Sequence, residues 1–366
     1  MRDTVLIIGG GPAGLALGIV LRKAGVPVWV VESSNYTEPR IGEHLPPNAI
    51  QAFNSLVPGR PLLGAVHQSS SGVDAFWGGS TPNHMDYLFH PLGAGANLSR
   101  PAFDRDLAMS CRDAGATVAL SAVLASAIWQ RTHWSTNLRL PTGPIELSPT
   151  VIVDATGRRA SFARMQGASI VADDQQIAVV QMQPSTHGNE PNGGGRVLVE
   201  ATENGWWYFA PLPLGSSVSM HMTDADMLPR KGKTALREWW LDQVRRTHHV
   251  RAKVTDRHHA ENGLLVRWAR SQHLSRASGK GWFAVGDAAY AFDPLASQGI
   301  AKGLEEAQQS ANVVSRYLSG DAGVLHEHDE RAVEAYDDYR RLRTSYYLME
   351  PRWPSAPFWH RRQNNA

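Results

Sequence analysis

The sequence predicts an α/β protein with a nucleotide-binding domain, an inserted antiparallel sheet and C-terminal helices. Three observations support this fold class. A strand–glycine–helix–strand pattern occupies residues 4–32, and a strand–turn–helix pattern occupies residues 282–307. Between them, residues 177–222 contain four strand-like runs with no helical pattern. A glycine-punctuated strand–helix–strand unit predicts parallel pairing, whereas consecutive strands predict an antiparallel sheet.

The N-terminal pattern has the spacing of a dinucleotide-binding motif. Five strand-type residues, 4–8, lead into GGGPAG at 9–14, an apolar helix to about Ala24 and a second strand that ends on Glu32. In such a Rossmann-type unit the glycines allow a tight turn and close approach of a pyrophosphate, and the acid binds a ribose. The motif alone does not distinguish FAD from NAD. The predicted cofactor-binding residues here are Gly9, Gly11, Pro12, Ala13, Gly14 and Glu32.

The C-terminal pattern favours FAD. It contains Gly286-Asp287, then Asp293-Pro294, then Gln298-Gly299-Ile300 at the start of a helical pattern. These residues resemble the large FAD-dependent family of aromatic hydroxylases, geranylgeranyl reductases and tryptophan halogenases. The resemblance implies a glutathione-reductase/aromatic-hydroxylase-like FAD-binding domain. It further implies that Asp287 binds the ribitol chain, that Pro294 lies near the flavin, and that Gly299 and Ile300 offer N–H groups to its pyrimidine side.

Other segments add residues to the predicted site. GEHLPP at 42–47 resembles the family's Gly-Glu loop near the flavin, and it makes His44 a candidate acid or base or else a surface histidine. Arg100 matches the family's FAD-contacting arginine, and Val123 the position of a backbone contact to adenine. Gly157 belongs to an Ala-Thr-Gly turn against the dinucleotide. Arg40 is a further candidate, because a cation in this loop could neutralise a phosphate or contact a ribose.

Thr156 differs from the aspartate that many aromatic hydroxylases have in that turn. This difference leaves direct reduction by NAD(P)H open, and a separate reduced-flavin donor is the alternative.

Composition excludes several function classes. The chain has 366 residues, one cysteine and a net charge of +2, which predicts neither a disulfide framework nor a nucleic-acid partner. Fifteen histidines show no metal-ligand spacing, so no metal is expected. Because no signal peptide or long apolar run is visible, the sequence predicts a cytoplasmic protein without a membrane segment.

The motifs divide the chain into alternating segments. Strand patterns at Thr117–Ile128 and Leu138–Leu147 predict a pair of strands with a turn at 141–143. The predicted FAD-binding domain comprises 1–75, 98–170 and 276–320, the predicted substrate domain comprises 76–97 and 171–275, and a C-terminal helix and tail follow at 321–366.

The choice between halogenation and hydroxylation depends on whether a lysine lies near the substrate. Tryptophan halogenases need a lysine near the substrate, after the Gly-Glu loop, and this chain has none between Ala24 and Arg230. Their Trp-x-Trp-x-Ile-Pro motif is also changed, because residues 206–211 read WWYFAP. The sequence therefore favours hydroxylation of an aromatic ring through a flavin C4a-hydroperoxide, with O2 as co-substrate. Trp206 and Tyr208 are the predicted pocket residues, with sheet core as the alternative.

A narrower resemblance covers nearly the whole chain. The run 206–213 and the tail RWPSAPFW at 352–359 resemble the flavoproteins that accompany quinone-cofactor amino-acid oxidases and amine dehydrogenases. This resemblance implies that the substrate is a tryptophan in a precursor protein, on the way to a tryptophylquinone. Residues 230–276, with twelve Lys/Arg against four Asp/Glu, are a candidate docking face or a solvated basic surface. Two alternatives remain, a hydroxylase or oxidase of a small aromatic metabolite and a non-catalytic flavin-binding maturation factor.

Overall fold

The structure is a computed structural model. This structure describes residues 4–59, 62–63, 66–184, 193–230, 232–254 and 263–364.

Helices pack mainly around the N-terminal motif and at the C-terminal end of the chain. Those in the described residues are α1 (Pro12–Lys23), α2 (Pro47–Leu56), α3 (Arg100–Asp113), α4 (Ser161–Met165), α5 (Gly232–Arg245), α6 (Gly299–Glu305), α7 (Ala307–Leu318), α8 (Val324–Leu348) and α9 (Pro357–Asn364).

The strands form one parallel and one antiparallel main sheet with smaller sheets beside them. In chain order they are β1 (Val5–Ile8), β2 (Val28–Val31), β3 (His44–Leu45), β4 (Gln68–Ser70), β5 (Gly72–Phe76), β6 (Asn83–Asp86), β7 (Gly95–Asn97), β8 (Thr117–Ala119), β9 (Val123–Trp129), β10 (Trp134–Leu140), β11 (Gly143–Leu147), β12 (Val151–Asp154), β13 (Ile170–Ala172), β14 (Gln176–Gln183), β15 (Val197–Thr202), β16 (Gly205–Pro211), β17 (Ser217–Asp224), β18 (Leu265–Trp268), β19 (Gln272–Leu274), β20 (Ser278–Gly279), β21 (Trp282–Ala284) and β22 (Tyr290–Ala291).

The first main sheet has the order β20-β21-β12-β1-β2-β8, and all its pairs except β20–β21 are parallel. The central strands of this sheet have continuous apolar sequences because both faces of the sheet are covered. Val5, Ile7 and Val153 belong to a core shared with α1, α3, α6 and α7. Leu6 and Ile152 face the opposite core, which includes Trp134 of β10 and residues of α8. The predicted α/β class with a Rossmann-type domain is confirmed.

The second main sheet has the order β18-β14-β17-β16-β15-β5-β6, antiparallel except for the pair β5–β15. Successive side chains of β16 point to opposite faces. Trp206, Tyr208 and Ala210 join a core with Trp77 and the C-terminal helices. Trp207 and Phe209 join a core with α5 on the other face. The predicted antiparallel sheet is therefore present, and both of its faces are covered.

The predicted strand Thr117–Ile128 is wrong, because the chain forms two strands there. Ser121 has φ of 51°, a left-handed conformation that interrupts an extended strand. As a result β8 adds to the parallel sheet beside β2, whereas β9 begins a separate sheet of order β11-β10-β9. The partner of β9 is β10, and the predicted turn at 141–143 joins β10 to β11 instead.

Among the described residues, no helix combines the length and the apolar character needed to cross a lipid bilayer.

Candidate functional site

The N-terminal motif forms a compact turn between β1 and α1. Gly9 has φ of +110°, and a Cβ added to it would lie 2.2 Å from the carbonyl oxygen of Ala155. A Cβ on Gly14 would lie 2.1 Å from the carbonyl oxygen of Gly9. Both positions therefore exclude any larger residue. Gly11, in contrast, has no atom within 4 Å of its added Cβ, so the space in front of α1 is open.

The start of α1 fits a diphosphate. Gly11 is its N-cap and makes no side-chain capping hydrogen bond, and Pro12 and Ala13 follow in the first turn without an acidic residue. Uncapped N–H groups and the positive end of a helix dipole favour an anion. The open space at Gly11 and the free N–H donors at the start of α1 therefore fit the diphosphate of a dinucleotide cofactor.

Glu32 lies at the end of β2 and is already hydrogen-bonded. Its carboxylate accepts the Gly10 N–H at 2.8 Å, the Ser34 N–H at 2.9 Å and the guanidinium of Arg40 at 2.7 Å. Burial alone would raise the pKa of Glu32, but Arg40 and the hydrogen bonds hold it below its usual range. Arg40 also pairs with Asp104 at 3.1 Å. The two predicted residues Glu32 and Arg40 are thus brought together as an ion pair.

Val123 lies next to this ion pair. It begins β9 and is partly exposed, and the N–H of the preceding Ala122 donates to the carbonyl of Glu32 at 2.9 Å.

The second motif packs directly against the first. A Cβ on Gly286 would lie 2.8 Å from the Cβ of Ala13, and a Cβ on Gly303 would lie 3.0 Å from the same atom. The Asp287 carboxylate is 30% exposed and lies 4.0 Å from the Cβ position of Gly299 at the start of α6. Two segments separated by most of the chain therefore meet at the start of α1.

Asp287 lies between two cations. Arg158, next to Gly157, approaches it at 3.7 Å, and Lys302 of α6 approaches it at 3.5 Å. Arg158 also donates to the carbonyls of Arg270 and Phe292, which fixes the turn at Gly157 against the second motif. The Asp287 side chain thus lies beside two cations at the start of α6, where its oxygens can accept hydroxyl hydrogen bonds.

Lys302 was not predicted from the sequence, because its partner Asp287 lies on another element and no local pattern joins the two. Its ammonium is buried, donates to the carbonyl of Tyr290 at 2.5 Å and lies 4.0 Å from the centre of the Tyr290 ring. Burial lowers the pKa of Lys302, while Asp287 and Glu306 oppose that shift. The signal in the sequence was a lysine inside the apolar run GIAKGL.

Pro294 lies in a short turn that the C-terminal helix α8 holds in place. Asp293 caps this turn by accepting the Leu295 N–H at 3.0 Å, and its other oxygen accepts the Tyr347 hydroxyl at 2.7 Å. The N–H of Asp293 donates to the Tyr339 hydroxyl at 2.7 Å. The turn leads into α6, where Ile300 is buried and Gly299 is exposed. Helix α8 therefore braces the segment that reaches the predicted flavin edge.

The Gly-Glu loop faces the start of α6. A Cβ on Gly42 would lie 3.8 Å from Cδ1 of Ile300 and 3.0 Å from Nη1 of Arg100. Arg100 donates to the carbonyls of Ile41 and Gly42 and pairs with Asp104 at 3.3 Å. The predicted residue Arg100 therefore holds this loop in its present position.

His44 is buried and fully hydrogen-bonded. Its Nδ1 lies 3.0 Å from Oδ1 of Asn97, and its Nε2 lies 3.2 Å from the hydroxyl of Tyr87. Because the amide N–H of Asn97 donates to Gly195, Oδ1 acts as the acceptor, so Nδ1 carries the hydrogen and Nε2 accepts from Tyr87. Burial lowers the pKa of His44, which favours this neutral form.

Tyr208 and Trp206 lie on the same face of β16 and belong to the same core, and Tyr208 is near enough to Glu43 of the Gly-Glu loop for their charges to interact. Burial raises the pKa of Tyr208 well above its usual range, and the charge on Glu43 and the Tyr87 hydroxyl add to that shift. Trp206 is fully buried, packs edge-on against Trp77 and donates its indole N–H to Tyr347 at 3.1 Å. Trp206 is thus part of the sheet core, and its role as a pocket residue stays a prediction.

Glu43 is the second residue that sequence reasoning left without a role. Its side chain is 2% exposed, and Oε1 has no hydrogen-bond partner among the described residues. Burial raises the pKa of Glu43 to about 7, although Arg100 and nearby backbone N–H groups oppose the shift. Its signal in the sequence was the Gly-Glu pair itself.

Comparison with known proteins identifies the family. A model of the FAD binding domain family matches residues 2–345 of this chain. The chain belongs to this FAD-binding family. Together with the open space and free N–H groups at the start of α1, this match shows that the cofactor is FAD and that the protein is an FAD-dependent oxidoreductase.

Among curated proteins, a putative FAD-dependent oxidoreductase, LodB, of Marinomonas mediterranea is 27% identical over 362 residues. These cover 98% of this chain and 96% of that protein. Two solved structures share the fold. The flavin-dependent halogenase CmlS has a TM-score of 0.84 at 21% identity, with 99% of this chain and 68% of that chain covered. The peptidyl tryptophan dihydroxylase QhpG has a TM-score of 0.81 at 24% identity, with 99% and 79% covered. The fold is therefore that of the monooxygenase- and halogenase-like flavoproteins.

Proposed function

We propose that the protein is a flavin-dependent monooxygenase that hydroxylates a tryptophan side chain of a precursor protein during biogenesis of a tryptophylquinone cofactor. FAD bound between the two motifs would supply the oxygen-activating and electron-transfer chemistry. The protein's own residues would bind the cofactor, exclude water and hold an electron-rich ring. A reductant of the nicotinamide or reduced-flavin class and O2 complete the reaction.

The observation that carries this proposal is the buried aromatic cluster beside the Gly-Glu loop. Tyr208, Tyr87 and neutral His44 are buried there beside Glu43, and the chain has no lysine from Ala24 to Arg230. The nearby Lys302 is occupied by Asp287 and Tyr290. An aromatic cluster without a free ammonium suits oxygen insertion into an aromatic ring and lacks the lysine expected of a halogenase.

The nature of the substrate rests on two similarities. The oxidoreductase LodB aligns with 98% of this chain, and the peptidyl tryptophan dihydroxylase QhpG has the same fold. Exposed cations on α5 and the segment after it, including Arg245, Arg251 and Lys253, support docking of an acidic protein surface. Binding of the precursor should then weaken at high salt.

The decisive experiment is co-expression of the protein with a candidate oxidase precursor, followed by peptide mass spectrometry. We expect one or two oxygen atoms on a single tryptophan, and no addition when that tryptophan is replaced by phenylalanine. An unmodified precursor together with rapid NAD(P)H consumption in the presence of a small aromatic compound would favour a metabolite hydroxylase instead.

The cofactor's role is tested by Asp287→Ala. This change removes the ribitol acceptor and leaves Arg158 and Lys302 without their counter-ion, so we expect FAD affinity to fall about 10- to 100-fold. Flavin absorbance after gel filtration and the mass of the precursor measure the result. Asp338→Ala, an exposed aspartate on α8, is the control. A variant that modifies the precursor without bound flavin would establish a non-catalytic use of FAD.

A further inference from the structure

Glu43 of the Gly-Glu loop is buried with one carboxyl oxygen, Oε1, that has no hydrogen-bond partner among the described residues. A buried polar atom without a hydrogen bond is costly and calls for an explanation, and a catalytic role is one such explanation. The backbone around it is fully engaged. The carbonyl of Glu43 accepts the Leu98 N–H at 2.7 Å, and Arg100 holds the carbonyls of Ile41 and Gly42. The backbone of the loop is thus held by hydrogen bonds, while Oε1 of its carboxyl group has no partner among the described residues.

The position of this carboxyl group relates it to two elements of the candidate site. Its neighbour Gly42 faces the start of α6, because a Cβ on Gly42 would lie 3.8 Å from Cδ1 of Ile300. Glu43 also lies near enough to Tyr208 of β16 for its charge to act on that hydroxyl. An aromatic substrate that packs against Tyr208 would therefore lie next to this loop.

We propose that Glu43 is the catalytic base of this protein and that its Oε1 accepts the proton that the aromatic substrate loses on hydroxylation. This inference rests on the proposed function. The overall reaction converts a ring C–H, O2, two electrons and two protons into a ring C–OH and water, with the electrons supplied by the external reductant. When a ring electron pair forms the new C–O bond, the O–O bond of the activated oxygen breaks and its second oxygen leaves to become water, and the ring carbon must then lose its hydrogen as a proton. The electron pair of that C–H bond returns to the ring, and the proton bonds to Oε1.

The surroundings suit a base that works near neutral pH. Burial raises the pKa of Glu43 to about 7, so the carboxyl group can hold or release a proton at physiological pH. Other candidates nearby are committed elsewhere, because His44 uses both nitrogens and Lys302 is tied to Asp287. Arg100 is the cation that faces Glu43, and Tyr208 is the neighbouring neutral hydroxyl.

The first test compares Glu43→Gln with the wild-type holoenzyme. We expect the variant to bind FAD with unchanged affinity and to consume reductant, whereas oxygen incorporation into the precursor falls about 100-fold or more. The oxygen that is not incorporated should appear as hydrogen peroxide. Glu43→Asp should restore part of the activity with a shifted pH profile. Glu38→Gln, an exposed glutamate of the same loop, should behave as wild type.

The second measurement does not depend on activity or on a folded variant. Wild-type apo- and holoprotein labelled with ¹³C at glutamate carboxyl groups should show a resonance that titrates near pH 7 and that is assigned to Glu43 by through-bond correlation with its own backbone. Loss of FAD binding in Glu43→Gln would mean that Glu43 holds the cofactor, and it would overturn the proposal. Full product yield with an unchanged pH profile, or no glutamate titrating between about pH 6 and 8, would also overturn it. If the wild type leaves every precursor unmodified, the proposed function fails, and the titration alone decides whether Glu43 is poised as a base.

Discussion

Glu32 and Glu43 lie at the two ends of one loop and are both buried, but their surroundings are opposite. Glu32 accepts hydrogen bonds from Gly10, Ser34 and Arg40, and its pKa lies below the usual range. Glu43 keeps Oε1 without a partner in the described structure, and its pKa is raised to about 7. Burial favours the neutral form in both residues, and only at Glu32 do partners reverse that effect.

This difference separates a residue that maintains the site from one that is free to react. A carboxylate with several donors is locked in its charged form and gains its stability from those bonds. A carboxyl group with few donors costs the fold free energy, which is expected where function needs a proton acceptor. We therefore expect substitutions at the two positions to affect stability in opposite directions.

The largest effect is expected for Glu32→Ala. The change leaves Gly10, Ser34 and Arg40 without their acceptor, so the free energy of unfolding should fall by about 2 to 4 kcal/mol. FAD affinity should fall as well, because the turn at Gly9–Gly11 loses its support. Urea unfolding and FAD titration measure the two effects, with Glu38→Ala as control. Unchanged stability would mean that these hydrogen bonds contribute nothing in solution.

A smaller effect of opposite sign is expected for Glu43→Gln in the apoprotein. The pKa of Glu43 is raised in the fold, so its contribution to stability is lost as pH rises from about 4.5 to 7. At pH 8 the variant should therefore be more stable than wild type, by up to roughly 3 kcal/mol, and the difference should vanish near pH 4.5. Unfolding at several pH values checks the sign. A variant that is less stable at pH 8 would contradict the raised pKa.

The smallest effect is expected for Arg40→Gln. Removing the guanidinium should raise the pKa of Glu32 and cost about 1 kcal/mol at neutral pH. Because the depressed pKa of Glu32 contributes stability that is lost as pH falls through its folded value, the deficit should shrink as the solution is made more acidic. Arg40→Lys, which keeps the charge, should retain part of the stability. A deficit that does not depend on pH would show that packing of Arg40, and not its charge, matters.

The cofactor motifs were predictable from the sequence because their chemistry is local. Gly9 and Gly14 are required by contacts with backbone atoms of adjoining segments, and any larger residue would clash. The strand break at Ser121 was not predictable, because the residues around it favour a continuous strand and only the left-handed backbone at Ser121 divides it. Lys302 was overlooked for a similar reason, since its partner Asp287 lies on another element.

The amino-acid sequence by itself determined the α/β class, the FAD-binding family and the positions of the two turns. Each depends on residue types within a few positions of one another and on the backbone conformations they allow. Only the tertiary structure decided which buried charges have partners. Glu32 and Glu43 are both buried glutamates of the same loop, and they differ because Arg40 and two N–H groups satisfy one, while Oε1 of the other has no partner among the described residues. Pairing of this kind is set by contacts between distant segments, and no local pattern encodes it.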